Sequence, residues 1–352
     1  MNVFRGYRHS LLAPECALTI GNFDGVHRGH QAMLALLKNE AQHRNLPSCV
    51  MTFEPHPRDY FAALAHKPEL APPRIATLRD KLTELARCGI DQCVVLPFDA
   101  RLAAQAPQTF IDEVLVRGLG ARYVLVGDDF RFGAKRAGGY AMLDAAGQKL
   151  GFADGRTAGF ADGRMAGFDV ARMNSYEVQS TRVSSSAVRQ ALAAGDMAQA
   201  ASLLGRPYSI SGHVVHGRKL GRDLGFRTLN LRFAHLSPAA SGIFAVQVHG
   251  LGNRALPGVA NLGVRPSIDP NDVNGGRVLL ETYCLEWPEH LGLEGAYGKI
   301  VRVELLHKLH DELKYDGLEA LKKGIAQDCD DARTFFAAMH SQTAWQTTRD
   351  RI

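Results

Sequence analysis

At 352 residues the chain is long for a single core and comfortable for two domains. Its 46% hydrophobic and 22% charged content excludes a disordered chain, and no apolar run approaches the ~20 residues that span a bilayer. The formal net charge of +5 suits anionic ligands, while the lack of any Lys/Arg block or arginine-rich helix argues against nucleic acid as a partner.

The opening "MNVFRGYRHSLLAPE" has no apolar signal core. After it, "CALTI" (16–20) reads as a buried strand, "HQAMLALLKNEAQHR" (30–44) as a helix and "SCVMTF" (48–53) as a strand. "LRDKLTELARCG" (78–89) is helical and stops on a glycine, "QCVVLPF" (92–98) is a strand, "TFIDEVLVRGL" (109–119) a helix and "RYVLVG" (122–127) a strand. This alternation predicts parallel pairing with crossover helices, an α/β doubly wound domain whose ligands bind beyond the carboxyl ends of the strands. "GNFDGVHRGH", "EPHPRDYF" and "GDDFRFGAKRAGG" all follow strand ends.

A tandem repeat follows, GFADGRTA then GFADGRMA, with GFDV after it (151–170). Its period is too short for a solenoid unit, and two copies lack the paired glycines of calcium-binding repeats, so it reads as a local duplication lengthening a surface loop. "VSSSAVRQALAAGD" (183–196) predicts a serine-capped helix and "DMAQAASLLGRPY" a second short one. Beyond "GRPYSISG" (205–212) the texture turns to short alternating strands with Gly/Pro turns, which suggests a small antiparallel barrel. An amphipathic helix over 318–339 closes it, and the domain boundary is expected between 203 and 204. The six cysteines form no CxxC pair and read as reduced, mostly buried residues of a cytoplasmic protein.

Two histidines, His27 and His30, stand one turn apart in "GNFDGVHRGHQ" at a strand-to-helix turn. Gly21 and Gly25 allow close backbone approach, and the helix start offers unpaired N–H groups to an anion. Three readings stay open on these residues alone: exposed histidines, a phosphate site, or a metal site completed by Asp24 and His56. The metal reading lacks a cysteine or HExxH context.

Residues 21–30 resemble the HxGH signature of the nucleotidyltransferase superfamily, and the extended form resembles the adenylyltransferase module of bacterial bifunctional riboflavin kinase/FAD synthetases. "TFEPHP" (52–57), "VGDDFRFGAKRAGG" (126–139) and "VSSSAVRQAL" (183–192) match the same family in order, although Ser186 and Val188 depart from its usual SSTxIR. The resemblance implies that His27 and His30 hold ATP phosphates. It places Asn22, Phe23, Asp24 and Gly25, with Ser185, Ser186 and Arg189 on the far side, around the nucleotide. It also puts His56, Asp128, Phe130 and Arg131 in the nucleotide/flavin wall.

The second half carries "GRKLGRDLGFRTLNL" (217–231), similar to the riboflavin kinase segment GxxLGxPTAN. "GIFAVQV", "GVANLGVRPSI", "LLETYCLEW", "AYGK" and "LHDELKYDGLEALKKGIAQD" extend the match over nearly all of 209–333. The resemblance implies that Gly217, Gly221 and Gly225 cover phosphates, that Thr228 and Asn230 bind Mg²⁺-ATP, and that Glu281 is the catalytic base. Thr and Asn oxygens are hard ligands that suit Mg²⁺, and a neutral hydroxyl nucleophile gains from a carboxylate base. Arg227, Leu229, Tyr283 and His310 depart from the family pattern, His310 standing where an arginine is common.

The expected activity is therefore phosphorylation of riboflavin to FMN and adenylylation of FMN to FAD. ATP and Mg²⁺ would be consumed or used in both, and FMN/FAD would be substrate and product. The alternatives are that one activity survives or that the chain is a flavin-binding regulator. The expected partners are riboflavin, FMN and ATP, with no nucleic acid, no membrane, and a monomeric or weakly homo-oligomeric state.

Overall fold

The computed structural model describes residues 1–151, 167–178, 181–216, 226, 228–232, 237–265, 277–292 and 294–349. They divide into two compact units, Met1–Pro72 with Lys81–Ser184, and Pro73–Asp80 with Ser185–Ile352. The repeat segment 152–166 lies outside the described residues.

The first unit is a six-stranded parallel sheet. Its elements begin β1 (Asn2–Arg5), β2 (Cys16–Ile20), α1 (Arg28–His43), β3 (Ser48–Glu54), α2 (Pro57–Leu64), α3 (Leu78–Arg87) and β4 (Gln92–Pro97). They continue with α4 (Ala100–Ala104), α5 (Pro107–Phe110), β5 (Ala121–Gly127), β6 (Arg131–Phe132), β7 (Gly138–Gly139), α6 (Tyr140–Gly151) and β8 (Asp169–Met173). The strand order is β1-β4-β3-β2-β5-β8, every main pairing parallel. The chain winds outward from β2 in one direction and, from β5, in the other. The switch point thus falls between β2 and β5, where an open α/β sheet offers its ligand crevice.

Alternation explains the two layers. Leu18, Ile20, Met51, Val94, Leu96 and Val124 face one side and pack with Phe110, Ile111, Leu115 and Leu143. Ala17, Val50, Cys93, Val95 and Leu125 face the other and pack with Leu34, Leu37 and Leu85 of α1 and α3. The helix expected over 109–119 is instead α5 running into a π-helical turn over Ile111–Val116. β1 escapes a periodicity reading because only Phe4 of its four residues is buried.

The second unit begins with α7 (Ser185–Ala194) and α8 (Met197–Leu204), after the β9 (Glu177–Val178) and β10 (Thr181–Arg182) hairpin that ends the first. Then come β11 (Tyr208–Val215), β12 (Thr228–Arg232), β13 (Gly242–His249), β14 (Leu256–Arg265), β15 (Arg277–Cys284) and β16 (Ile300–His310). They close an antiparallel barrel in the order β11-β12-β15-β14-β13-β16. The last helix, α9 (Leu318–Arg349), runs ten residues past the apolar stripe that predicted it, because "HSQTAWQTTR" contains no Gly or Pro to stop it. Phe244, Leu229, Leu231, Leu280, Ala260 and Leu262 fill the barrel interior. On the outer face Ile243, Ala245 and Val259 pack with Cys329, Ala332 and Phe336 of α9.

All six cysteines are free, and only Cys88 is not buried. Burial pushes the Cys93 and Cys284 thiols up to about 12, so they remain protonated and unreactive at neutral pH. No described helix is long and apolar enough to cross a membrane.

Candidate active sites

The first site grows out of the carboxyl end of β2. Met51 of β3 accepts the Gly21 N–H, and the Asn22 carbonyl accepts the Thr52 hydroxyl at 3.1 Å, which pins the turn to the neighbouring strand. The backbone then takes positive φ at Phe23 (49°), Gly25 (85°) and Val26 (41°). Two of these are non-glycine residues, a costly geometry that clusters at functional turns. Phe23 is 1% exposed and its ring lies 4.9 Å from that of His30, so its side chain is core and braces the histidine from below. Asp24 is equally buried.

His27 caps α1. Its Nδ1 accepts the backbone N–H of His30 at 3.3 Å, a task usually given to Ser, Thr, Asp or Asn. That acceptor role leaves the proton of a neutral ring on Nε2. The His27 and His30 rings stack with centroids 3.7 Å apart and 14° between planes. Burial, then His27, then Lys81 hold His30 well below the ordinary histidine range, so it is a neutral donor at pH 7 rather than a cation. The His30 Nδ1 is buried with no hydrogen-bond partner among the described residues.

The positive charge beside these rings comes from a residue that the motif reading missed. Lys81 is fully buried on α3, and its Nζ donates to the Thr52 hydroxyl at 3.3 Å. The signal was in the sequence: Lys81 falls on the same helical face as Leu78 and Leu85, where an apolar side chain is the rule.

His56 ends the β3 loop and caps α2, its Nδ1 accepting the Arg58 N–H at 3.1 Å. Around that loop Phe53, Tyr60, Phe61 and Phe98 form an edge-to-face cluster, with Phe61 half exposed. Asp128 follows β5, across the switch point. Its carboxylate accepts from the Ser175 hydroxyl at 2.6 Å and from Arg182 at 3.2 Å, and these hold it below the usual carboxylate range. Phe130 stacks on Phe132 at 5.5 Å and is partly buried, while Arg131 is exposed. The structure thus sets the turns after β3, β2 and β5 side by side, and with them His56, His27, His30 and Asp128.

Ser185, Ser186 and Arg189 stand at the start of α7, in the second unit. The residue two before Ser185, Val183, belongs to the first unit. A Cβ built on Gly29 would lie 3.4 Å from the Val183 carbonyl and 3.3 Å from the His27 ring. The segment leading into "SSSAVR" therefore passes over the glycine of HRGH. Within the second unit, Arg189 Nε donates to the Pro73 carbonyl at 2.7 Å.

The second site lies on the barrel's outer face. Asn230 of β12 pairs with Glu281 of β15, which pairs on its other side with Asn261 of β14. One row along, Thr228 pairs with Tyr283 and Tyr283 with Val259. Directly paired residues point to the same face, so Thr228, Asn230 and Glu281 share the face that carries Val259 and α9. Asn230 is 5% exposed and its Oδ1 has no hydrogen-bond partner among the described residues. Gly217, Gly221, Gly225 and Arg227 lie outside the described residues.

His310 is held between two acceptors. Its Nε2 faces Asp328 Oδ1 at 2.7 Å and its Nδ1 faces the Asp311 carbonyl at 2.7 Å. Acceptors on both nitrogens favour the doubly protonated ring. Burial alone would lower its pKa, but these two hydrogen bonds outweigh burial and raise it. The ring thus ties the end of β16 to α9.

No group of three or more His, Cys, Asp or Glu among the described residues is arranged to hold a metal ion. The oxygen donors on the barrel face remain suited to a hard cation shared with phosphates.

Comparison with known proteins bears on both units. A family described as FAD synthetase matches residues 10–187, and one described as riboflavin kinase matches residues 204–336. The bifunctional riboflavin kinase/FMN adenylyltransferase of Escherichia coli K12 is 44% identical over 346 residues, covering 96% of this chain and 98% of that protein. The proteins of that name from Haemophilus influenzae and Pseudomonas fluorescens are each 39% identical, covering 96% of this chain and 99% and 98% of their own lengths. A solved structure titled as a macrolide-efflux protein from Streptococcus pneumoniae superposes with a TM-score of 0.70 at 24% identity, covering 94% of this chain and 98% of that one. At that identity it speaks to the fold alone. Two contiguous family matches and full-length identity of 39–44% lead to one conclusion: the chain belongs to the bifunctional riboflavin kinase/FMN adenylyltransferase family.

Proposed function

We propose that residues 204–352 phosphorylate riboflavin with ATP to give FMN and ADP, and that residues 1–203 join FMN to the AMP part of a second ATP, giving FAD and pyrophosphate. The observation that carries the reading is the placement of two dissimilar sets of side chains. A stacked histidine pair begins a helix at the sheet's switch point, and a carboxylate flanked by amides lies on the barrel face. Each set fits one of the two reactions.

In the first unit the nucleophile is a phosphate oxygen of FMN, already anionic at pH 7, so the site needs no general base. Attack on the α-phosphorus breaks the bond to the bridging oxygen, and negative charge grows on the departing pyrophosphate. His27, through its Nε2–H, and neutral His30 meet that charge with N–H donors, and Lys81 adds positive potential near His30. The backbone at Asn22, Phe23 and Gly25, with buried Asp24, shapes the nucleotide's approach, and the family resemblance assigns Ser185, Ser186 and Arg189 to the same nucleotide. His56, Asp128, Phe130 and Arg131 line the flavin wall, beside the aromatic cluster around Phe98.

In the second unit the nucleophile is the neutral 5′-hydroxyl of riboflavin. Glu281 takes its proton as the oxygen attacks the γ-phosphorus and ADP leaves. Thr228 and Asn230 would hold Mg²⁺ with the ATP phosphates, since the orphaned Asn230 Oδ1 is a hard donor of the right kind. When bound, Mg²⁺ offsets the phosphates' charge. Gly217, Gly221 and Gly225 would cover them.

The six free thiols suit a reducing cytoplasm, and one chain supplies every residue named, so a monomer or weak homo-oligomer suffices. The test is purified protein with riboflavin, ATP and Mg²⁺, with flavins separated by chromatography. FMN should rise first and FAD after it; an unchanged flavin composition would reject the enzyme reading.

A further inference from the structure

We infer that Asn261 binds the acceptor substrate of the kinase reaction, holding a hydroxyl of the ribityl chain next to the one that Glu281 deprotonates. This rests on the reading of Glu281 as the base.

Asn261 pairs directly with Glu281 across β14 and β15, so the two side chains leave the same face with Cβ atoms about 5 Å apart. Glu281 is flanked on its other side by Asn230. The row is therefore amide, carboxylate, amide, and Asn230 belongs to the ATP side. A substrate reaching Glu281 from the β14 side lies over Asn261. Asn261 Oδ1 is buried and has no hydrogen-bond partner among the described residues. A buried acceptor left in this way is a cost that a bound donor removes.

Its surroundings single it out. The next residues of that face on β14 are Val259, buried against α9, and Gly263, where an added Cβ would run into the Glu312 carboxylate. The face thus passes from apolar Val259, through Asn261, to a carboxylate laid over a glycine. An extended polyol, with a hydroxyl on each carbon, fits such a run of acceptors. Thr282 supplies the contrast. Its hydroxyl is also buried without a partner among the described residues, but it points into the closed barrel, where no substrate reaches.

The test compares riboflavin with its 3′-deoxy and 4′-deoxy analogues, in the full chain and in Asn261→Ala, measuring kcat and KM for phosphorylation. The wild type should lose about 10–100-fold in kcat/KM on the 4′-deoxy analogue, and a loss confined to the 3′-deoxy analogue overturns the inference. Asn261→Ala should lose a similar factor on riboflavin and then treat that analogue and riboflavin alike. Discrimination by Asn261→Ala equal to wild type, or none by the wild type itself, overturns the inference. If Asn261→Ala melts well below wild type, Asn261→Ser takes its place in the same comparison. Glu281→Gln is measured alongside: undiminished phosphorylation there rejects the reading of the base, whereas loss there with unaltered discrimination in Asn261→Ala rejects only the role of Asn261.

Discussion

The His27 imidazole both accepts the backbone N–H of His30 and stacks on the His30 ring at 3.7 Å, so one side chain begins the helix and orients its neighbour. The two duties separate by mutation. His27→Ala should cost about 1 kcal/mol through the lost cap, whereas His27→Asn keeps a good cap and should melt close to wild type. Both, like His30→Ala, should slow FAD formation by roughly 10²–10³-fold and leave FMN formation intact. Separate assays of the two products with thermal melts decide it; equal loss of both products would sink the two-site division.

Lys81 acts on His30 through charge. Lys81→Met removes one of the three influences that depress the His30 pKa, so that pKa should move up toward 6.5. The ring proton followed by NMR against pH reads this directly. An unmoved titration would mean that burial and His27 alone set it.

Glu281→Gln should lower FMN formation by about 10²–10⁴-fold while FAD formation from supplied FMN continues. Single-substrate assays, starting separately from riboflavin and from FMN, give the comparison.

The His310–Asp328 clamp makes the second unit's stability depend on pH. Its folded pKa is raised, so its contribution is fully present below the unfolded value of about 6.5 and is lost as pH rises through the folded value. Asp311 and Asp331 also face the ring and favour its charged form. Melting temperature should therefore fall across this window in the wild type. In His310→Gln that component should vanish.

Thr282 carries a buried hydroxyl with no hydrogen-bond partner among the described residues. Thr282→Val should stabilise the protein by about 1 kcal/mol, measured by denaturant unfolding. A loss of stability would indicate an internal water bonded there.

Elements with strong periodicity were legible beforehand. β2, β3, β4 and β5 are continuous apolar runs because both faces of a parallel sheet are covered, and β11 to β16 alternate because one side of each faces the barrel interior. The HRGH turn, Thr228, Asn230 and Glu281 were legible as motif residues. Residues whose role depends on a neighbour distant in sequence were not. Asn261 acquires meaning only from its register with Glu281, and His310 only from Asp328, eighteen residues on. Capping by His27 and His56 was hidden because histidine is an unusual cap.

The winding of the sheet gives the first unit two edges under different constraint. The turns after β2, β3 and β5 leave the carboxyl edge, and there a single added methyl, as at Gly29, meets the His27 ring. The connection between Gly151, where α6 ends, and Asp169, where β8 begins, enters at the amino edge instead. A gene can lengthen the chain at that junction, by duplicating eight residues for example, without disturbing a turn that carries chemistry. The tandem GFADGR copies fall in that connection.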